Sequence, residues 1–219
     1  MTRLLWSDPQ AFIRDNTRRQ APPLVPEIEL HLADQMVPLW QLTEEEMSEI
    51  GLPPPYWAFA WAGGQAVARY VLDNPGLVAG RAVVDFAAGT GLVAIAAAKA
   101  GARLSCAVDI EALATAACRL NAAINDTRVE VETRDPIGAD IVAEVVLAGD
   151  ICYEKPLAGR AMPWLKRLAA EGVLVLLGDP GRAYLPREGL EKLATYEVQT
   201  TRELEDRDVR RTDVWRVVP

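Results

Sequence analysis

The sequence predicts a doubly wound α/β protein: a mostly parallel, Rossmann-like seven-stranded sheet behind a small α+β appendage. Three observations carry this expectation. The stretch from Arg81 to Gly101 reads as a short apolar strand (Ala82 to Val84), an acid at its end (Asp85), a small-residue turn holding Gly89 and Gly91, and an Ala-rich helix stopped at Gly101. A second strand, Arg103 to Val108, ends in a second acid, Asp109, 24 residues beyond the first. Downstream, apolar runs alternate with helical segments, as in a sheet covered by helices on both faces.

With 219 residues and 50% hydrophobic composition, the chain can bury a sizeable core, and two parts are expected: an appendage over residues 1–52 and a main domain over residues 53–219. No run of about 18 uncharged apolar residues occurs, so no membrane span is expected. The first residues lack an apolar signal core, and Asp8 and Asp15 argue against an acid-poor transit peptide. Three cysteines without a CxxC pair suit a reducing compartment, so a cytoplasmic protein is expected. A net charge of −8 argues against a nucleic-acid partner. A single histidine, His31, gives no basis for a zinc centre or a Ser-His-Asp triad, so no metal is expected and His31 reads as structural.

In chain order, Asp8-Pro9 suits an N-cap followed by a first-turn proline, predicting a short polar helix over residues 8–20. Ala21 to Pro26 breaks it, Glu27 to Leu32 alternates like a half-exposed strand, Gln35 to Leu42 is a possible partner strand, and Thr43 to Glu46 opens a helix ending at Gly51. Pro53 to Gln65 is rich in proline and aromatics. Its paired Gly63 and Gly64 let the backbone approach something before a helix running to Leu72. Trp61, beside those glycines, is expected at a ligand, with Tyr56 and Trp57 as core or rim. Then come a helix from Ala112 to Ala123 with Asn121 and Asn125 near its end, strands Val129 to Glu132 and Ala143 to Ala148, a helix Pro156 to Ala170 and a fully apolar strand Gly172 to Leu177. A short helix over residues 186–194 and a closing hairpin of residues 195–203 and 212–218, joined by the charged Glu203 to Arg211 turn, complete the expectation.

The chemistry gathers at the strands' carboxyl ends, where Asp85, Asp109, Asp135 and Asp150 all fall. Small residues in the turn after Asp85 leave backbone amides open to a nucleotide. Gly89-Thr-Gly-Leu-Val-Ala94 satisfies the dinucleotide pattern G-x-G-x-x-G/A, which keeps a nicotinamide-dependent oxidoreductase as one reading. Against it, Asp85 sits four residues before Gly89, where an ionised acid would mark the strand's end and face a ligand. Asp109 either holds ribose hydroxyls or caps the helix that starts near Glu111; Asp135 either accepts from an adenine amino group or sits in a turn. Asp150 either faces a substrate or caps a helix or turn.

The pattern Asp85-x-Ala87-x-Gly89-x-Gly91 resembles motif I of the seven-strand S-adenosylmethionine-dependent methyltransferases, with Ala87 where that family usually has glycine. Three further stretches jointly resemble the electron transfer flavoprotein beta-subunit lysine methyltransferases and their bacterial relatives: Pro53 to Gln65, Asp150-Ile-Cys-Tyr153, and Gly178-Asp-Pro-Gly-Arg182. The resemblance implies S-adenosylmethionine as cofactor, held by Trp61, Gly63, Gly64, Gln65, Asp85, Ala87, Gly89, Gly91, Asp109, Ile110, Asp135 and Gly149. It implies a lysine of a protein substrate, the electron transfer flavoprotein beta subunit, received beside Asp150 and Tyr153 as catalytic residues. Separately, the chain is expected to work as a monomer. Ribosomal protein L11 methyltransferases share the cofactor fold with another substrate. The Asn-Pro-Pro-Tyr of glutamine- and exocyclic-amine-methylating enzymes does not occur.

Overall fold

The computed structural model describes residues 8–33, 54–200 and 208–219. The expected strand over residues 35–42, the helix from residue 43 to residue 51 and most of the turn at residues 203–211 lie outside the described residues.

Helix α1 (Pro9–Asp15) starts as its sequence requires: the Asp8 carboxylate accepts the amides of Gln10 and Ala11 at 2.9 and 3.1 Å, and a proline occupies the first turn. It is shorter than expected. The Asn16 amide bonds back to Phe12 and Ile13, ending the helix, and the freed chain becomes β1 (Arg18–Gln20), which pairs antiparallel with β2 (Leu30–Leu32). His31 is buried with its Nδ1 3.1 Å from the Thr17 hydroxyl, the structural role expected of it. Burial, then the charges of Arg19 and Arg14, hold its imidazole below the usual range.

The central sheet has the order β5-β4-β3-β6-β7-β9-β8, from β3 (Ala82–Phe86), β4 (Leu104–Asp109), β5 (Glu130–Thr133), β6 (Val145–Gly149), β7 (Leu174–Asp179), β8 (Leu190–Gln199) and β9 (Val209–Val217). The first five strands in that order are parallel, and β9 runs antiparallel between β7 and β8. Side-chain alternation sends Val83, Val145, Leu147 and Leu176 to one face, against α2 (Ala62–Asp73) and α3 (Leu92–Lys99). Val84, Val146, Val175 and Leu177 go to the other, against Met162, Leu165 and Leu168 of α5 (Lys155–Ala170). Helix α4 (Ala112–Ile124) receives α1 through a cluster of Ile13, Trp57, Leu113 and Leu120, each such burial contributing about 1.5 to 3 kcal/mol.

The helix expected over residues 186–194 is not formed. Pro186 and Gly189, the latter at φ 78°, break any helix, and from Leu190 the chain pairs with β9 from Val217 back to Val209. Ladder hydrogen bonds from a distant strand outweigh a weak local helical preference.

Gly63 and Gly64 lie inside the first turn of α2, and what they approach is the sheet itself. A Cβ on Gly149 would stand 2.5 Å from the Gly64 nitrogen, and a Cβ on Gly63 or Gly178 would run into the other residue's carbonyl oxygen. The helix start therefore rests backbone to backbone on the ends of β6 and β7, a seat no side chain can share. Gly178→Ala is expected to cost about 1 to 3 kcal/mol of stability by overpacking against atoms that cannot move aside. The measure is a lower urea midpoint at unchanged slope; an unchanged midpoint would mean that α2 shifts freely on the sheet.

Candidate active site

The site forms where β3, β4, β6 and β7 end. After β3, Ala87, Gly89 and Gly91 take φ values of 55°, 52° and 77°, three left-handed residues in five. Glycine accepts this conformation freely, whereas Ala87 holds it at a cost of about 1 to 3 kcal/mol, the strain of lacking the glycine usual there. A Cβ on Gly89 would meet only the Trp57 Cα, at 3.9 Å, so the turn is open to a ligand at that point. Gly91 is filled from behind: its Cβ position lies 3.1 Å from the Cα and Sγ of Cys118. Gly91 thus serves helix packing.

Two carboxylates brace this turn. Asp109 Oδ2 accepts the Gly89 amide at 3.0 Å and its Oδ1 accepts the Glu111 amide at 3.0 Å. The capping reading of Asp109 is thus seen, and each oxygen that takes one N–H keeps a lone pair that a hydroxyl can use. Burial raises its carboxyl above the usual range, against the lowering effect of the Glu111, Gly89 and Ile110 amides. Asp85 corrects an expectation. It is only 2% exposed and its Oδ2 accepts the Ala94 amide at 2.9 Å, so it caps the start of α3 from beneath the turn and does not present itself to solvent. Burial pushes it up to about 8, partly offset by the Ala94 N–H and helped by the charge of Asp109.

Residues 56–61 and Tyr153 form an aromatic lip. Tyr56, 46% exposed, and Tyr153, 40% exposed, meet edge to face with ring centroids 5.4 Å apart. Trp61 packs against Tyr56 and Phe59 at 6.1 and 5.7 Å and donates its Nε1–H to the Tyr56 carbonyl at 2.9 Å. Trp57 is core. The Tyr153 phenol is pushed up to about 12 by burial, with Glu154, Tyr56 and Asp109 adding to it, so it stays protonated at neutral pH.

Asp150 sits behind this lip in a left-handed conformation, φ 57°, and is 7% exposed. Its Oδ2 accepts the amides of Gly63 and Gly64 at 2.5 and 3.2 Å, capping α2, and its Oδ1 accepts Nε and Nη2 of Arg182 at 3.0 and 2.7 Å. Four N–H groups fill the four acceptor positions of a carboxylate. The expectation that Asp150 captures an amine directly is corrected accordingly: its charge is balanced by Arg182, whose guanidinium also lies 5.7 Å from the centroid of the Trp61 ring. That pairing, 32 residues apart, is the functional feature sequence reasoning missed. Only the cation in Gly178-Asp-Pro-Gly-Arg182 hinted at it.

Other expected contacts resolve differently. Gly63 and Gly149 are backbone seats within the protein. Gln65 is buried, donating to the Ala60 carbonyl at 2.7 Å and accepting the Leu24 amide at 3.4 Å, so it holds the N-terminal segment. Asp135 pairs with Arg160 at 2.5 Å and accepts the Ile137 amide at 3.0 Å; that ion pair foremost lowers its carboxyl, and it behaves as a turn residue. Ile110 is 65% exposed just beyond Asp109, and Gly64 has only Val93 within reach of a Cβ, so both remain open to a ligand. No cluster of metal-ligating side chains occurs among the described residues.

A turn open at Gly89, an accepting carboxylate at Asp109 and aromatic faces suited to a cation fit an adenosine-bearing sulfonium. With this sheet order, they define an S-adenosylmethionine-dependent methyltransferase. The fold is shared with magnesium protoporphyrin IX methyltransferase from Synechocystis PCC 6803, solved with bound S-adenosylmethionine, at a TM-score of 0.52 and 20% identity, over 69% of this chain and 76% of that one. A family model described as Ribosomal protein L11 methyltransferase (PrmA) matches residues 70–173. The electron transfer flavoprotein beta subunit lysine methyltransferase of Xenopus laevis is 35% identical over 96% of this chain and 87% of its own length. That of Danio rerio is 36% identical over 95% and 83%. The chain belongs to the electron transfer flavoprotein beta subunit lysine methyltransferase family.

Asp109→Ala is expected to weaken S-adenosylmethionine binding by about 1.5 to 3 kcal/mol, through loss of a charge-assisted acceptor and of the brace on Gly89. Calorimetric titration checks this, and an unchanged affinity would leave Asp109 a cap alone. Asp85 makes a pH prediction. Its native pKa is raised, so the native state keeps a proton that the unfolded chain has lost. Its stabilising contribution is full below about pH 4 and is lost as pH rises through about 8. Without ligand, the thermal midpoint should fall between about pH 5 and pH 8 by more in the wild type than in Asp85→Asn, which retains an acceptor for Ala94; equal slopes would refute the assignment.

Proposed function

We propose that the chain transfers methyl groups from S-adenosylmethionine to lysine side chains of the electron transfer flavoprotein beta subunit, as the names of its relatives say of those proteins. What supports this most is the aromatic lip of Tyr56, Trp61 and Tyr153, in which the two tyrosines are exposed. S-adenosylmethionine supplies an electrophilic methyl group on a positively charged sulfur. The attacking lysine must be neutral, whereas a free lysine has a pKa of about 10.4. Enclosure between ring faces removes water from the ammonium and favours proton loss. The same faces attract whatever cation is present before and after transfer. The Tyr153 oxygen, protonated and at the lip, can accept an amine N–H and so aim the nitrogen lone pair, while the released proton passes to water at the open mouth. Asp150, balanced by Arg182, fixes the wall that carries Trp61.

The ribosomal protein reading is weaker, because the L11 methyltransferase of Pelobacter propionicus matches 82% of this chain at 31% identity over only 58% of its own length, against 83 to 87% of the flavoprotein-directed relatives. A net charge of −8 supports action on a protein and not on nucleic acid, and we take the enzyme to work as a cytoplasmic monomer. The test is incubation with labelled S-adenosylmethionine and either intact electron transfer flavoprotein or ribosomal protein L11, followed by peptide mass spectrometry. Methylated lysines on the flavoprotein beta subunit are expected. Labelling of L11 with none on the flavoprotein would overturn the substrate while leaving the methyltransferase standing.

A further inference from the structure

We infer that Asn121 is a positioning residue for the cofactor turn, tying its central carbonyl to the N-terminal strand β2. Asn121 lies on α4, is fully buried, and touches no open part of the site. Its Nδ2 donates to the Thr90 carbonyl at 2.8 Å and its Oδ1 accepts the His31 amide at 2.8 Å. Only one orientation of the side-chain amide serves both partners, because Thr90 offers an acceptor and His31 a donor. Thr90 stands between Gly89 and Gly91, both left-handed, so the direction of its carbonyl sets where the amides of the turn point.

The neighbouring groups make this bond directional. Cys118, Asn121 and Asn125 follow one face of α4 at helical spacing. Cys118 Sγ reaches the Gly89 carbonyl at 3.4 Å, and Asp109 holds the Gly89 amide, so Gly89 and Thr90 are gripped from one side by three side chains. Asn125 binds the same N-terminal segment, accepting the Glu29 amide at 3.1 Å and donating to its carbonyl at 2.6 Å, and its other bond runs to the Asn121 carbonyl within α4. Next to β2, the Ala33 amide donates to the Ala58 carbonyl at 2.9 Å, at the root of the aromatic lip. The N-terminal strand thus reaches the cofactor turn through Asn121 and the lip through Ala33. This inference rests on the cofactor class and not on the identity of the protein substrate.

Asn121→Ala should raise the Kd for S-adenosylhomocysteine about tenfold, the effect of one lost buried hydrogen bond, and raise KM for S-adenosylmethionine more than it lowers kcat. Asn125→Ala removes an equivalent tether on the same helix and should lower the thermal midpoint with Kd changed by less than about twofold. Unchanged affinity in Asn121→Ala, or an equal loss in both variants, would reduce Asn121 to general stability and overturn the inference. Should Asn121→Ala fail to fold, Asn121→Leu keeps the side chain's volume and loses the donor to Thr90, and the same readings apply. In the wild type, saturating S-adenosylhomocysteine should slow hydrogen exchange at the His31 amide and leave that of Glu29 unchanged. Identical exchange at His31 with and without ligand counts against the linkage whatever the variants do.

Discussion

The carboxylate of Asp150 joins the first turn of α2, the end of β6 and the loop that follows β7. It can do so because Gly63, Gly149 and Gly178 let a helix start lie on two strand ends with no side chain between them. A carboxylate buried this deeply would be prohibitively unstable alone. Here two helix N–H groups and a guanidinium satisfy it, and the helix N-terminus favours its negative charge. Arg182 is held in turn by Asp179, whose Oδ1 accepts the amides of Gly181 and Arg182 at 2.7 and 2.6 Å. Fixing α2 fixes Trp61 at its cap, and with Trp61 the neighbouring rings of Tyr56 and Phe59. The aromatic lip is therefore a consequence of a helix cap.

The cofactor side obeys a different electrostatic rule. Asp85 and Asp109 are held above their usual range chiefly by burial. Among the described residues neither accepts a hydrogen bond from a cationic side chain; backbone amides of the turn and of two helix starts serve instead. Burial disfavours the ionised form of each, and the amide N–H groups favour it. Asp150 already has its counterion. The same residue type does opposite work on the two sides of one cleft because one carboxylate met a guanidinium and the others did not.

What was legible in the sequence follows from range. The apolar runs of β3, β4, β6 and β7 and the glycines at 89 and 91 act within a few residues, and these elements lie where periodicity and turn chemistry place them. The departures are long-range pairings that overrode local preference. Residues 190–199 extend because β9 is there to pair with them, and residues 18–20 because β2 is. At the site, Asp109 was legible as a cap, since the cap partner is two residues away. Asp135 found Arg160, Gln65 found Leu24, and Asp150 found Arg182, across 25, 41 and 32 residues, where no spacing rule operates.

These ranges also explain how the site can divide its tasks. A strand, turn and helix that follow one another form most of the cofactor cradle, so it can persist while surrounding segments change. The lip is assembled from residues 56–61, Tyr153 and the loop bearing Arg182, which meet only after the sheet has formed. On the proposed reading, changes in any one of these three redirect which amine enters without disturbing the turn at Gly89. The link through Asn121 sets a limit on that freedom, because the strand behind the lip also holds the carbonyl of Thr90. Substrate-side variation that displaces β2 must therefore act on the cofactor turn as well.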